Sequence, residues 1–143
     1  MVIWQGIRKN LPKKNWYQKT KELCFWQAEI LSEKTGAVVY GAVTNMKFTP
    51  QDDTVKYNLA TIFDIVVPNL DNYRYTLMIL YSRPEIDYPV AITVGSNLID
   101  DAEDFKPQCE CYNRESFIEE LQKILSSEEV NRNIEVLYSK ASF

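Results

Sequence analysis

From Ala37 onward, apolar and polar residues alternate at a period of two, whereas both ends of the chain repeat apolar residues at intervals of three and four. Strand side chains alternate between faces and helical ones recur every 3.6 residues, so this contrast predicts a sheet with helices before and after it. The first helical pattern runs from about Asn15, a residue type that caps helix starts, to about Thr35. Trp16, Thr20, Leu23, Gln27, Ile30 and Leu31 share one face of it, and Gly36 stands where a glycine would end it. The run Leu23-Cys-Phe-Trp26 is apolar around most of a turn, which predicts Phe25 or Trp26 packed under a loop or at an interface. Ahead of this helix, residues 1–7 read as a short edge strand and residues 8–14 as a basic loop broken at Pro12.

The period-two region divides at turn residues. Ala37–Phe48 reads as the first strand, Thr49–Thr54 as a turn, and Val55–Val67 as the second strand. Pro68–Asn72 is the next turn, and a third strand runs from Tyr73 until Arg83-Pro84. Val90, Ile92 and Val94 mark a shorter fourth strand, and Gln108–Tyr112 a last short edge strand. Such short links imply antiparallel hairpins. Asn113 then caps a helix with Phe117, Ile118, Leu121, Ile124 and Leu125 on one face. Ser126-Ser-Glu-Glu129 starts another, with Val130, Ile134 and Leu137 as its apolar stripe. The sequence thus predicts one α+β domain over residues 1–143, made of an N-terminal helix, a four- to five-stranded antiparallel meander and two C-terminal helices packed on the sheet.

Strict alternation also assigns faces. Val55, Tyr57, Leu59, Thr61, Phe63, Ile65 and Val67 would meet the helices, together with Tyr73, Tyr75, Leu77, Ile79 and Tyr81. The other face would carry Lys56, Asn58, Ala60, Ile62, Asp64 and Val66 beside Arg74, Thr76, Met78, Leu80 and Ser82. That face is apolar in the middle and polar at its ends, as a protein interface is. It is the expected binding surface, with Ile62, Val66, Met78 and Leu80 at its centre and Lys56, Asn58, Arg74 and Ser82 at its edges. The alternative is that the Trp4 segment or a terminal helix covers it.

Charge sharpens this expectation. The net charge of −4 is unevenly spread: residues 1–35 hold seven Lys/Arg against three Asp/Glu, whereas residues 36–143 hold nine against seventeen. The acidic part would repel a nucleic-acid backbone, so a nucleic-acid partner is not expected. No apolar run has the length of a membrane span and no secretory signal is visible, which makes the cytoplasm the expected compartment and excludes a membrane partner. Asp100, Asp101, Glu103 and Asp104 form an acidic loop suited to steering a basic protein. Their spacing fails the calcium-loop pattern, so the expectation there is a solvated loop without metal.

Catalytic chemistry finds little support. The chain has no histidine, the usual proton-transfer group and metal ligand near neutral pH. Its four glycines form no phosphate-cradling loop, and no nucleophile elbow is present. Cys109-Glu-Cys111 puts two thiols on one strand face, but with Cys24 the sole further cysteine the set falls short of a zinc site and reads as buried core. The lysines interleaved with Trp16, Tyr17 and Trp26 read as the wet face of a helix. The expected function is therefore a non-catalytic protein-binding module, such as an inhibitor, immunity-type or regulatory protein, whose partner is another protein or a second copy. No cofactor is expected. The alternatives are a small-ligand domain with a pocket between sheet and helices lined by Tyr40, Tyr57, Tyr73, Tyr75 and Tyr81, and a carboxylate- or metal-dependent enzyme.

Overall fold

Where the chain leaves its first helix, α1, of which residues 31–35 are described, Gly36 adopts a φ of 61°. The Ala37 N–H donates to Ser32 O at 2.9 Å and the Gly36 N–H to Glu33 O, which satisfies carbonyls that the helix end leaves open. The computed structural model describes residues 31–47, 57–95 and 109–142. Beyond α1 come β1 (Tyr40–Lys47), β2 (Leu59–Val67), a 3-10 turn (Pro68–Leu70), β3 (Tyr73–Arg83), β4 (Ile86–Val94) and β5 (Cys109–Cys111). The helices α2 (Arg114–Leu125) and α3 (Glu128–Ala141) follow. The five strands pair antiparallel in the order β1-β2-β3-β4-β5, so this is the α+β meander that the periodicity predicts, with the C-terminal helices packed on it.

Both helix starts follow from their capping residues. The Asn113 carboxamide accepts from the Ser116 N–H at 2.8 Å, and Ser116 Oγ accepts in return from the Asn113 N–H. Ser127, one residue later than the box the sequence suggests, caps α3 by accepting from the Val130 N–H. Asn131 Nδ2 donates to Leu125 O and Ser127 O, both at 2.9 Å, and so holds the corner between the two helices. Phe117, Ile118, Leu121, Ile124 and Leu125 are buried with Val130 and Ile134 against Phe63, Ile65, Val67, Leu77, Val90 and Ile92 of the sheet. Phe117, Leu121, Leu125, Phe63 and Leu77 thus share one core.

Strict alternation fails on β3. Phe63 pairs with Met78 but Asp64 pairs with Thr76, which leaves Leu77 as an extra residue on the bulged strand. The Leu77 carbonyl accepts from the Gly95 N–H at 3.0 Å, and Asp64 stands at the bulge on β2, accepting from Thr76 Oγ1 at 2.7 Å and from Arg74 Nη1 at 3.2 Å. A bulge shifts parity by one, so every side chain after it changes face. Met78 and Leu80, expected beside Ile62 on the far face, instead lie in the helix-side core at 0% exposure. Ile79 and Tyr81, expected under the helices, lie opposite Ile62 and Ala60 on the far face. Tyr57, also expected under the helices, lies ahead of β2 and packs instead with Ala60, Ile79, Tyr81 and Ala91. β4 begins earlier than expected, at Ile86, and accommodates Pro89 where its register with β3 breaks between Tyr81 and Arg83.

The expected strand and loop of residues 1–14, the body of the first helix with Cys24, the turn at 49–54, Lys56, and the acidic loop with Asp100, Asp101, Glu103 and Asp104 lie outside the described residues. No helix among the described residues is long and apolar enough to cross a membrane.

Candidate functional site

The far face of the sheet keeps an apolar centre, but it is buried, and β3 supplies it with Ile79 and Tyr81 in place of Met78 and Leu80. Tyr57, Ala60, Ile79, Tyr81 and Ala91 form a second buried cluster on it, with Ile62 partly buried at its side. Of the expected centre residues, Ile62 and Val66 keep their place on this face, Ile62 partly buried beside the second cluster and Val66 fully buried. Arg74 lies at the Val66 end of the face, half exposed and tied to Asp64, and Asn58 is exposed just ahead of β2. Met78 and Leu80 are brought together, but inside the helix-side core.

At the β5 edge of this same face, Glu110 accepts from Tyr57 Oη at 2.7 Å and from Tyr112 Oη at 2.8 Å. Burial, and then the hydrogen bond to Glu110, push the Tyr57 hydroxyl well above the usual tyrosine range. The Tyr112 hydroxyl, which donates to the same carboxylate, is also raised. A carboxylate gripped by two phenols joins the second cluster to the edge of the sheet.

The open surfaces lie instead where the helices meet the sheet. A cleft of about 520 Å³ is lined by apolar Ile92, Val94, Ile124 and Val130, with Cys109, Tyr75, Glu120, Lys123, Ser127 and Glu129 supplying its polar groups. On the other side of Tyr75, a second cleft of about 300 Å³ lies between the start of β3 and α3, lined by Tyr73, Tyr75, Arg132, Asn133, Val136 and Leu137. Asn133 Nδ2 donates to Tyr75 Oη at 3.1 Å, fixing the ring that separates the two clefts. Tyr73 is 50% and Val136 46% exposed, so two large apolar side chains meet in one concave surface with Arg132 beside them.

Of the five tyrosines expected around a pocket, Tyr75 lines both clefts and Tyr73 one; Tyr57 and Tyr81 belong to the second core, and Tyr40 pairs with Val66 on the far face. Of the helix-borne lining residues, Ile124, Val130 and Leu137 belong to the apolar stripes read from the sequence, where they count as core rather than as lining. Val136 carried a signal, being apolar and out of phase with the Val130, Ile134 and Leu137 stripe. Glu120, Lys123 and Glu129 carried none, since charges flanking a buried stripe are the ordinary dress of a surface helix.

Among the described residues, no group of three or more Cys, Asp or Glu side chains is placed to hold a metal ion. Compared with protein-family models, curated proteins and solved structures, the chain matches none, so its functional reading rests on the geometry of these surfaces.

Proposed function

We propose that this chain is a non-catalytic protein-binding module, of the inhibitor, immunity-type or regulatory kind, and that it engages its partner through the cleft between β3 and α3. The observation that carries this reading is the meeting of half-exposed Tyr73 and Val136 with Arg132 at a concave surface. Aromatic and arginine side chains at an apolar depression are the groups that most often dominate protein association. Acid at the helix starts supports the reading: Glu115 opens α2, and Glu128 and Glu129 open α3, in a segment with an excess of eight negative charges over residues 36–143. Such a field speeds encounter with a basic partner without needing direct contact.

The test is affinity capture from the source lysate with the parent chain and with a Tyr73→Ser/Val136→Ser variant. Both side chains are half exposed, so the variant should melt within a few degrees of the parent. The reading requires a protein, held by the parent at near-equal stoichiometry, that the variant loses. Equal capture by both, or none by either, would refute it.

A second reading, a small-ligand domain, is favoured by the other cleft. Its volume of about 520 Å³ matches the usual dimensions of ligand sites, and its walls combine the aliphatic Ile92, Val94, Ile124 and Val130 with the charged Glu120, Lys123 and Glu129. Val130→Trp would fill that space. A small molecule that raises the melting temperature of the parent but not of Val130→Trp would establish this reading, and a panel with no such compound would remove it.

A further inference from the structure

Cys109 and Cys111 stand on the helix side of β5, two residues apart, with their Sγ atoms 3.8 Å from each other. Their surroundings differ. Cys111 is fully buried in the helix-side core, whereas Cys109 is partly exposed and lines the larger cleft. Two touching thiols, one reachable from a cleft and one sheltered behind it, are the arrangement in which one sulfur meets an incoming disulfide and the other completes the exchange. We propose that Cys109 and Cys111 form a thiol–disulfide exchange site, in which Cys109 attacks a low-molecular-weight disulfide held in the cleft and Cys111 resolves the adduct.

The chemistry balances in two steps. The Cys109 thiolate attacks one sulfur of R–S–S–R; that S–S bond breaks, a Cys109–S–S–R bond forms, and R–S⁻ leaves to take up the proton that Cys109 gave. Cys111 then loses its proton and attacks the Cys109 sulfur, breaking the bond to R and forming the Cys109–Cys111 disulfide. The second R–S⁻ leaves and is protonated in turn. Two protein thiols are oxidised to one disulfide, and the small disulfide is reduced to two thiols.

Geometry permits closure. Two residues of extended strand separate Cα atoms by about 6.7 Å, at the upper end of the roughly 4.4–6.8 Å that a disulfide spans. β5 has three residues and forms the edge of the sheet, paired with β4 through Val90, Ala91 and Ile92. A slight contraction there is borne, among the described residues, by this short ladder and by the Glu110 carboxylate that Tyr57 and Tyr112 hold. The order of attack follows from burial as well. Desolvation, and then the neighbouring Cys109 sulfur, push the Cys111 thiol up to about 12, so it stays protonated while Cys109 reacts. The cleft, at about 520 Å³, has the dimensions of a small-molecule site, which suits a small disulfide.

The test uses the full chain, reduced and then exposed to glutathione disulfide, with peptide mapping by mass spectrometry over time. The peptide carrying both cysteines should first gain one glutathione on Cys109 and then shed it, ending two hydrogens lighter than the reduced form. Cys111→Ser should stop at the glutathione adduct, and Cys109→Ser should gain adduct at least tenfold more slowly. Because the parent is decisive by itself, a variant that folds poorly does not rescue the proposal. A parent that stays reduced while a free-thiol control oxidises would overturn it. So would a lasting adduct in the parent, or a disulfide joining either residue to Cys24.

Discussion

Replacing Ile79 by alanine should destabilise the fold by about as much as replacing Met78, its neighbour in sequence. Ile79 is 2% exposed and lies against Tyr57, Ala60, Tyr81 and Ala91, while Met78 lies under the helices. Truncating Ile79 removes three carbon atoms from a filled site, a loss of about 2.4 kcal/mol at roughly 0.8 kcal/mol per buried methylene. If the surroundings do not close in, about 80 Å³ is left empty, which adds about 2 kcal/mol at roughly 24 cal/mol per Å³. The total of about 2.4–4.4 kcal/mol lowers the urea midpoint by about 1–2 M at a slope near 2 kcal/mol per M. The bulge is tested more sharply by double-mutant cycles. Truncations of Met78 and Phe63, which the register pairs on the helix side, should couple by at least about 0.5 kcal/mol, whereas Met78 and Ile62 should be additive within about 0.3 kcal/mol. Coupling between Met78 and Ile62 with none between Met78 and Phe63 would refute the bulge and restore the unbroken alternation.

Further outcomes follow from the same packing. Leu121→Asp places an unpaired charge in the helix-side core and should cost at least about 3 kcal/mol by urea denaturation; melting like the parent would contradict the core assignment. Asn113→Ala removes the cap of α2 and should cost about 1 kcal/mol, or about 3 °C in Tm; an unchanged Tm would mean that the cap contributes nothing. Stability should fall as alkali is added, because the folded state keeps the Cys111 and Tyr57 protons at pH values where the unfolded chain has lost them. For Cys111 the fall begins near the ordinary thiol value of 9.0 and runs to about 12, with a slope of about 1.4 kcal/mol per pH unit. Cys111→Ala should flatten that part of the curve, and a parent curve already flat from about pH 9 to 11 would contradict the burial of the thiol.

The strands, the two C-terminal helices and their caps were legible because each rests on local chemistry. Gly36 ends a helix, Asn113 begins α2, the Ser126–Glu129 box marks the start of α3 to within one residue of its cap Ser127, and the stripe Phe117, Ile118, Leu121, Ile124 and Leu125 admits one buried face. The bulge was not legible, and the reason is specific. Leu77, Met78, Ile79 and Leu80 are all apolar, so either parity buries an apolar side chain at every position, and no polar residue in the run reports which face is which. The candidate surface moved with it: Met78 and Leu80 turn inward, and Ile79 and Tyr81, which take their places beside Ile62, are buried in the second cluster and leave no apolar patch exposed there. What took its place depends on how two helices lean against β3 and β4, a tertiary relation that no local pattern encodes.

The meander also sets the order of assembly. In a sheet whose spatial order equals its chain order, each strand finds its partner in the adjoining stretch of sequence, so β1 to β4 can zip together through three successive hairpins, of which β2–β3 and β3–β4 have short loops to close. The helices contribute the distant contacts, since α3 packs back on β2 and Asn69 Nδ2 donates to Ala141 O across a sequence separation of 72 residues. Such contacts reward the chain only after a long loop has closed, which places them late on the folding route. In a chevron experiment, truncating Phe63 or Ile79 should slow folding, while truncating Ile134 should leave the folding rate nearly unchanged and speed unfolding. The reverse pattern would mean that the helices, not the hairpins, nucleate this fold.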